Sequence, residues 1–360
     1  MIERYRDACP ADKEWMRVHI PEIGRRVEVS DSKWDSLSAR TTFELIPAIK
    51  SGLLAHAGRS SVYVSGSMAR WEANDDSDLD LMILHNASGS ARLSTVQRAH
   101  TLALLDRIRH STGFQEFSKG GDYVQFHSVD DLVSGIGSPK DNSTNQFTAR
   151  MMLLLDGMPL INPVFHEDAF DLVLGAYWRQ VEDRSSGNFL PVYLINDIRR
   201  WGLELCLNFE KHNPPASRQN ADQQKGISPI QAERRLSNLK LRYARLLGPF
   251  SALMLILYES EPDGILFTTC REILTVTPVE RLLHLRRVAD KALSTQVEQI
   301  LTSYNAYLTF AKQTKEQLLE QVSGSGWQTI KDEAYAFGDL VNSALLACGD
   351  EKPIKRYLIV

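Results

Sequence analysis

Apolar positions along the 360-residue chain change their period near its middle. Up to about Val164 two periods alternate. Ala39–His56 carries apolar residues at helical spacing. Leu93–Ile108 repeats them at Leu93, Val96, Ala99, Leu102, Leu105 and Ile108, so both stretches predict helices. Val62–Ser65 and Leu79–Leu84 are short and apolar and predict strands. Phe114–Ser128 predicts a strand pair turned at Lys119-Gly120-Gly121. The order helix, strand, strand, helix, strands predicts an α+β domain with a small sheet. From about Glu167 the helical period takes over. It runs through Leu190–His212, Ala232–Glu259 (one or two helices) and Pro278–Val322, which predicts a helical bundle. The expected domains are therefore residues 1–166 and 167–360. Lys211–Ile227, with two prolines, and Glu182–Asn188 are polar and predict loops. No internal repeat is visible.

One stretch departs from this simple patterning. Val62–Leu84 reads VYVSGSMARWEANDDSDLDLMIL. On the second strand Asp78 and Asp80 are two apart and project to one face, while Leu79 and Leu81 point into the core. Two carboxylates so close raise each other's pKa unless a cation lies between them. Mg²⁺ suits them, because it takes oxygen ligands and keeps room for water and phosphate. A pair of such ions can activate an attacking hydroxyl and stabilise a leaving pyrophosphate. Gly66 ends the first strand and lets backbone approach a phosphate, and Ser67 offers a hydroxyl donor. Asp75 and Asp76 belong to the connecting loop and need no role.

Composition narrows the setting. A hydrophobic content of 43% supports one large or two medium cores. A net charge of −4 provides no global field for nucleic acid. Cys9, Cys206, Cys270 and Cys348 are scattered and form no CxxC pair, which argues against a zinc site or a disulfide framework. The first fifteen residues contain no apolar core of a secretory signal. No segment reaches the roughly 18 apolar residues of a membrane span. The expectation is a cytoplasmic protein with reduced thiols and no membrane partner.

A strand, a Gly-Ser turn, a ten-residue spacer (Met68 to Ser77) and a strand with Asp-x-Asp together resemble the signature of the DNA polymerase β nucleotidyltransferase superfamily. The resemblance implies a polymerase β-like sheet domain followed by a helical domain that closes on the nucleotide. It implies that Gly66 and Ser67 hold a triphosphate and that Asp78 and Asp80 bind the metals, two Mg²⁺ or Mn²⁺ ions. A third acid on a neighbouring strand is usual in the superfamily. Asp122, after Gly120-Gly121, is the first candidate and Glu116 the second. Asp130 and Asp131 instead look like the first turn of a helix capped by Ser128. Phe126–Leu132 and Phe147–Leu160 are similar to a pattern in the uridylyltransferase of the PII signalling protein, matching at His127, Ser128, Arg150, Asp156 and Gly157. Glutamine synthetase adenylyltransferase looks like a more distant relative. The whole chain most resembles a bacterial group of nucleotidyltransferases of unassigned substrate. It carries neither the HD phosphohydrolase motif nor the ACT-type tail of the PII-modifying enzyme, so the PII-modifying role itself is not implied.

The resemblance also implies a basic residue from the helical half on the β- and γ-phosphates. Lys240 is the first choice, and Arg242 and Arg245, three apart, flank one helix face. Arg70, in the Gly-Ser loop, is a further nucleotide-binding candidate. Asn196 and Arg200 share a face that suits a cleft lining, whereas Asp197 with Arg200 equally suits an ordinary ion pair. His127 reads as a structural hydrogen-bonding histidine rather than a base. Trp71, Trp178, Trp201 and Trp327 read as core and are not assigned to the nucleotide. The expected substrate is an NTP. The expected acceptor is a protein, since the relatives named above modify proteins. RNA or a tRNA end, a small molecule or cyclic nucleotide, and a toxin–antitoxin role are the alternatives.

Overall fold

The structure is a computed structural model that describes residues 10–50, 57–75, 77–86, 93–117, 121, 124–178, 187–212, 227–349 and 352. It is a mixed α and β protein, mostly helical, with one small mixed sheet. In chain order the elements up to Gly175 are α1 (Pro10–His19), α2 (Pro21–Lys50), β1 (Ser60–Ser65), α3 (Gly66–Ala69), β2 (Asp80–His85), α4 (Thr95–Ser111), β3 (Phe126–Ser128), α5 (Val129–Ser134), α6 (Lys140–Ser143), α7 (Gln146–Asp156), β4 (Met158–Ile161) and α8 (Pro163–Gly175). Two compact units emerge: Gly24–Gly187, and Met1–Ile23 with Asn188–Val360. Helix α8 straddles the expected boundary at 166/167 and packs on β1 and β4.

The sheet order is β3-β2-β1-β4. β1 is antiparallel to β2 and β4, and β2 is parallel to β3. All six residues of β1 are buried, because helices cover both faces of the sheet. On one face Val62, Val64, Leu79, Leu81 and Ile83 pack with Leu37 of α2 and Leu104, Leu105 and Ile108 of α4. On the other, the Tyr63 hydroxyl donates to Met82 Sδ and to the Ala149 carbonyl of α7. Its ring meets His166 of α8 edge-on at 5.5 Å. Both segments thus form strands, and Leu79 and Leu81 enter the core as expected. Pro159 lies on the edge strand β4, where a missing N–H costs little.

Several local expectations meet corrections. The predicted strand arm from Phe114 is irregular through Phe117. The buried Arg109 guanidinium donates to the Phe114 carbonyl at 2.9 Å, and Phe114 points into the core instead of pairing. Among the described residues of the predicted pair, Phe126–Ser128 forms a strand, and it pairs with β2. The helix predicted from Ala39 begins at Pro21; residues 51–56 lie outside the described residues. In α4 the buried side chains are Thr101, Leu104, Leu105, Ile108 and Arg109, whereas Val96 and Leu102 are exposed. A strict three-residue repeat drifts around a helix of 3.6 residues per turn, so it cannot stay on one face. β4 and α1 had no counterpart among the predicted elements.

The second unit is helical: α9 (Val192–His212), α10 (Pro229–Lys240), α11 (Leu246–Glu259), α12 (Phe267–Leu274), α13 (Pro278–Val288), α14 (Lys291–Phe310), α15 (Lys315–Ser323) and α16 (Trp327–Cys348). α11 is apolar on nearly every side and sits among α9, α13 and α16, the placement such a helix requires. A π-helical turn at Leu241–Arg245 joins α10 to α11 and stacks Tyr243 on Tyr307 at 4.4 Å. Asn305 of α14 accepts from the Glu22 and Ile23 amides, two N–H groups that the start of α2 cannot satisfy itself.

Candidate active site at the end of β1

The antiparallel register places Ser65, the last residue of β1, opposite Asp80, the first of β2. The chain then turns at Gly66, whose φ of +75° is the left-handed region that glycine occupies without strain. A Cβ built on Gly66 would lie 2.6 Å from Asp80 Oδ2, so no other residue fits without moving that carboxylate. The Gly-Ser turn and the second aspartate, fourteen positions apart in sequence, therefore form one constellation. Alternation along β2 turns Asp80 toward the sheet face of Tyr63 and Met82, away from the Leu79–Leu81 core. Asp80 is half-buried, and Asp78, just before the strand, is exposed.

Arg70 caps α3. Its Nε donates to Glu72 Oε2 and its Nη1 to Asp156 Oδ2, both at 2.9 Å. Asp156 Oδ2 also accepts from the Gly66 amide at 3.0 Å. Glu72 is buried, and its carbonyl accepts from Arg26 Nη1 at 2.8 Å. Trp71, between the two anchors, holds φ +60°, an uncommon conformation for a bulky residue. Burial and the Asp156 charge push the Tyr63 hydroxyl pKa up, so it stays protonated.

Oxygen donors at the head of β2 suit Mg²⁺ in kind. Among the described residues no three His, Cys, Asp or Glu side chains cluster as a metal-holding group. Asp122 lies outside the described residues, and Glu116 is exposed in the irregular stretch after Phe114. Ser128 caps α5 and accepts from the Asp131 amide, which places Asp130 and Asp131 in the first turn, as expected. His127 on β3 is buried, and burial together with neighbouring His85 pushes its pKa down to about 4. It is neutral at pH 7 and reads as structural.

Lys240, Arg242 and Arg245 belong to the helical unit. Arg242 donates to Asn238 at 2.9 Å and lies 4.1 Å from the Tyr335 ring centre. Arg200 pairs with Asp197 at 3.8 Å and Glu204 at 3.2 Å, the ordinary ion-pair alternative. Trp178 is fully buried, as expected of core. Arg150, which the resemblance matched, is buried at 0% exposure and makes a bidentate pair with Asp141. It also donates to the Tyr177 hydroxyl and the Leu132 carbonyl, so its role is to join α5, α6 and α7. The contact of Asp156 carries no signal in the local sequence, since it meets the turn across 90 residues. A scan against protein-family models finds no match for this chain, and a search of curated proteins finds none.

Proposed function

We propose that this chain is a metal-dependent nucleotidyltransferase, with a polymerase β-like sheet domain followed by a helical domain. It moves a nucleoside monophosphate from an NTP to an acceptor hydroxyl. The acceptor oxygen bonds to the α-phosphorus, the α–β bridging bond breaks, pyrophosphate leaves, and the hydroxyl proton is released. The observation that carries this reading is the approach of Gly66 to Asp80 Oδ2, which joins the Gly-Ser turn to a carboxylate at one strand end. Gly66 leaves the turn without a side chain, and Ser67 supplies the donor to phosphate. Asp78 and Asp80, with Asp122 as third acid, are the residues that would hold Mg²⁺ or Mn²⁺. When bound, the metal lowers the pKa of the attacking hydroxyl and offsets charge on the leaving pyrophosphate. The acceptor is a protein side chain.

Incubation with each α-³²P-labelled NTP, Mg²⁺ or Mn²⁺, and cell lysate tests this. Label is expected on protein, and EDTA or the double change Asp78→Ala with Asp80→Ala is expected to remove it. Unchanged labelling in the double variant overturns the mechanism. Label on RNA, or a labelled nucleotide product formed with no acceptor, overturns the assignment of a protein acceptor while leaving the reaction type in place.

A further inference from the structure

We propose that Asp156 is a positioning residue for the Gly66 turn, a role that rests on the nucleotidyl-transfer reading above. Asp156 is the last residue of α7. A carboxylate there faces the negative end of the helix dipole, an unfavourable placement. Local preference does not put an acid at this position; its partners do. A single oxygen, Oδ2, accepts from the Gly66 amide at 3.0 Å and from Arg70 Nη1 at 2.9 Å. Gly66 opens α3 and Arg70 closes it, so one atom ties both ends of the turn. Arg70 then passes the restraint on to buried Glu72, whose carbonyl is held by Arg26 of α2.

The arrangement clamps the turn from two sides of the sheet unit. Asp156 comes from α7 on the Tyr63 face, and Glu72 is tied to α2 on the opposite face. The left-handed φ of Trp71 falls between the two anchors, a strained conformation that persists only where surroundings enforce it. The Gly66 amide is committed to Asp156 inside the protein. Asp156 thus acts on the reaction through the shape of the turn and through the Gly66 approach to Asp80, not by touching the substrate.

The test is Asp156→Asn, which keeps the shape and removes the charge. A displacement near 1 Å at a reacting site costs about 100-fold. The kcat per folded molecule is therefore expected to fall by about 10- to 100-fold, with KM for the NTP unchanged. Arg70→Lys keeps the charge but cannot span both carboxylates. It is expected to give the same loss, and the double variant is expected to lose no more than either single change, because both cut one tether. Should Asp156→Asn not fold, Arg70→Lys carries the kinetic test. Hydrogen exchange at the Gly66 amide, slow in the wild type and fast in Asp156→Ala, which removes the acceptor oxygen altogether, reads the tether without turnover. Several results overturn the proposal: an unaltered rate per folded molecule with only a lower melting temperature, a multiplicative double variant, or equal Gly66 exchange in both proteins. A lower KM with kcat preserved also overturns it, since Asp156 then competes with phosphate. Wild-type protein that transfers nucleotide while any of these holds loses only the Asp156 role. Wild-type protein that transfers none, from any NTP, loses the reading and this role together.

Discussion

Replacing Gly66 by alanine tests the site at the point where fold and chemistry meet. Two penalties arise. The first is conformational: φ is +75°, and an L-residue in the left-handed region costs about 1–2 kcal/mol. For a unit of this size that corresponds to a fall in melting temperature of about 2–8 °C. The second is steric. The new methyl group would meet Asp80 Oδ2 at 2.6 Å. Ordinary contact is near 3.5 Å, so the carboxylate must withdraw by about 1 Å. Asp80 can rotate, which keeps the folding cost small but moves a proposed metal ligand. Misplacement of that size costs about 100-fold in rate. Gly66→Ala is therefore expected to melt a few degrees lower and to transfer nucleotide about two orders of magnitude more slowly. Thermal denaturation followed by circular dichroism and a labelled-nucleotide transfer assay measure the two effects. A variant that melts with the wild type and transfers at its rate would refute the steric argument. One that melts lower yet transfers normally would show that Asp80 placement is not what Gly66 protects.

Other perturbations separate the framework from the site. Arg150→Met strands the Asp141 carboxylate and is expected to cost about 3–5 kcal/mol by urea unfolding. Adding Asp141→Leu is expected to recover much of that, since a paired apolar replacement removes the stranded charge. His127 and His166 are both buried, each with Nε2 lacking a hydrogen-bond partner among the described residues, and burial pushes each pKa down to about 4. The unfolded chain binds those protons near the ordinary value of 6.5, so the stability from burying neutral rings is present above pH 6.5. It is lost as pH falls through 4. Unfolding free energy measured between pH 7 and 4 should decline, and His166→Phe should flatten part of that decline. An unchanged slope would contradict the burial argument. Gly338→Ala, in an exposed part of α16 with nothing within 4 Å of a new methyl group, is expected to stabilise by about 0.5–1 kcal/mol and leave transfer unaffected.

Much of this protein is legible locally. The strand cores around Val62–Val64 and Leu81–Leu84 follow from short continuous apolar runs, the pattern of strands covered on both faces. The Gly-Ser turn and the Asp78–Asp80 pair are likewise readable, since a φ demand and a repulsive carboxylate spacing are properties of a few adjacent residues. The Ser128 cap and the long helix Val192–His212 follow from capping chemistry and helical period. Where the reading failed, contacts to neighbouring elements outweighed the local pattern. Phe114–Phe117 has strand composition, yet Arg109 takes the Phe114 carbonyl and the aromatic side chains find the core. In α4, the neighbours on the sheet select which stripe is buried.

The mutual placement of sheet neighbours lay beyond any local pattern. β4 comes to lie beside β1, and β3 beside β2, through contacts between segments tens of residues apart. The same closure carries Asp156 to the Gly66 amide and to Arg70. Sequence alone determined that a turn and two carboxylates exist and which chemistry such groups suit. Only the tertiary structure decided that a helix end from 90 residues downstream holds the turn in place. Hydrogen bonds of that kind depend on where chains meet in space, and no periodicity or spacing along the chain encodes that meeting.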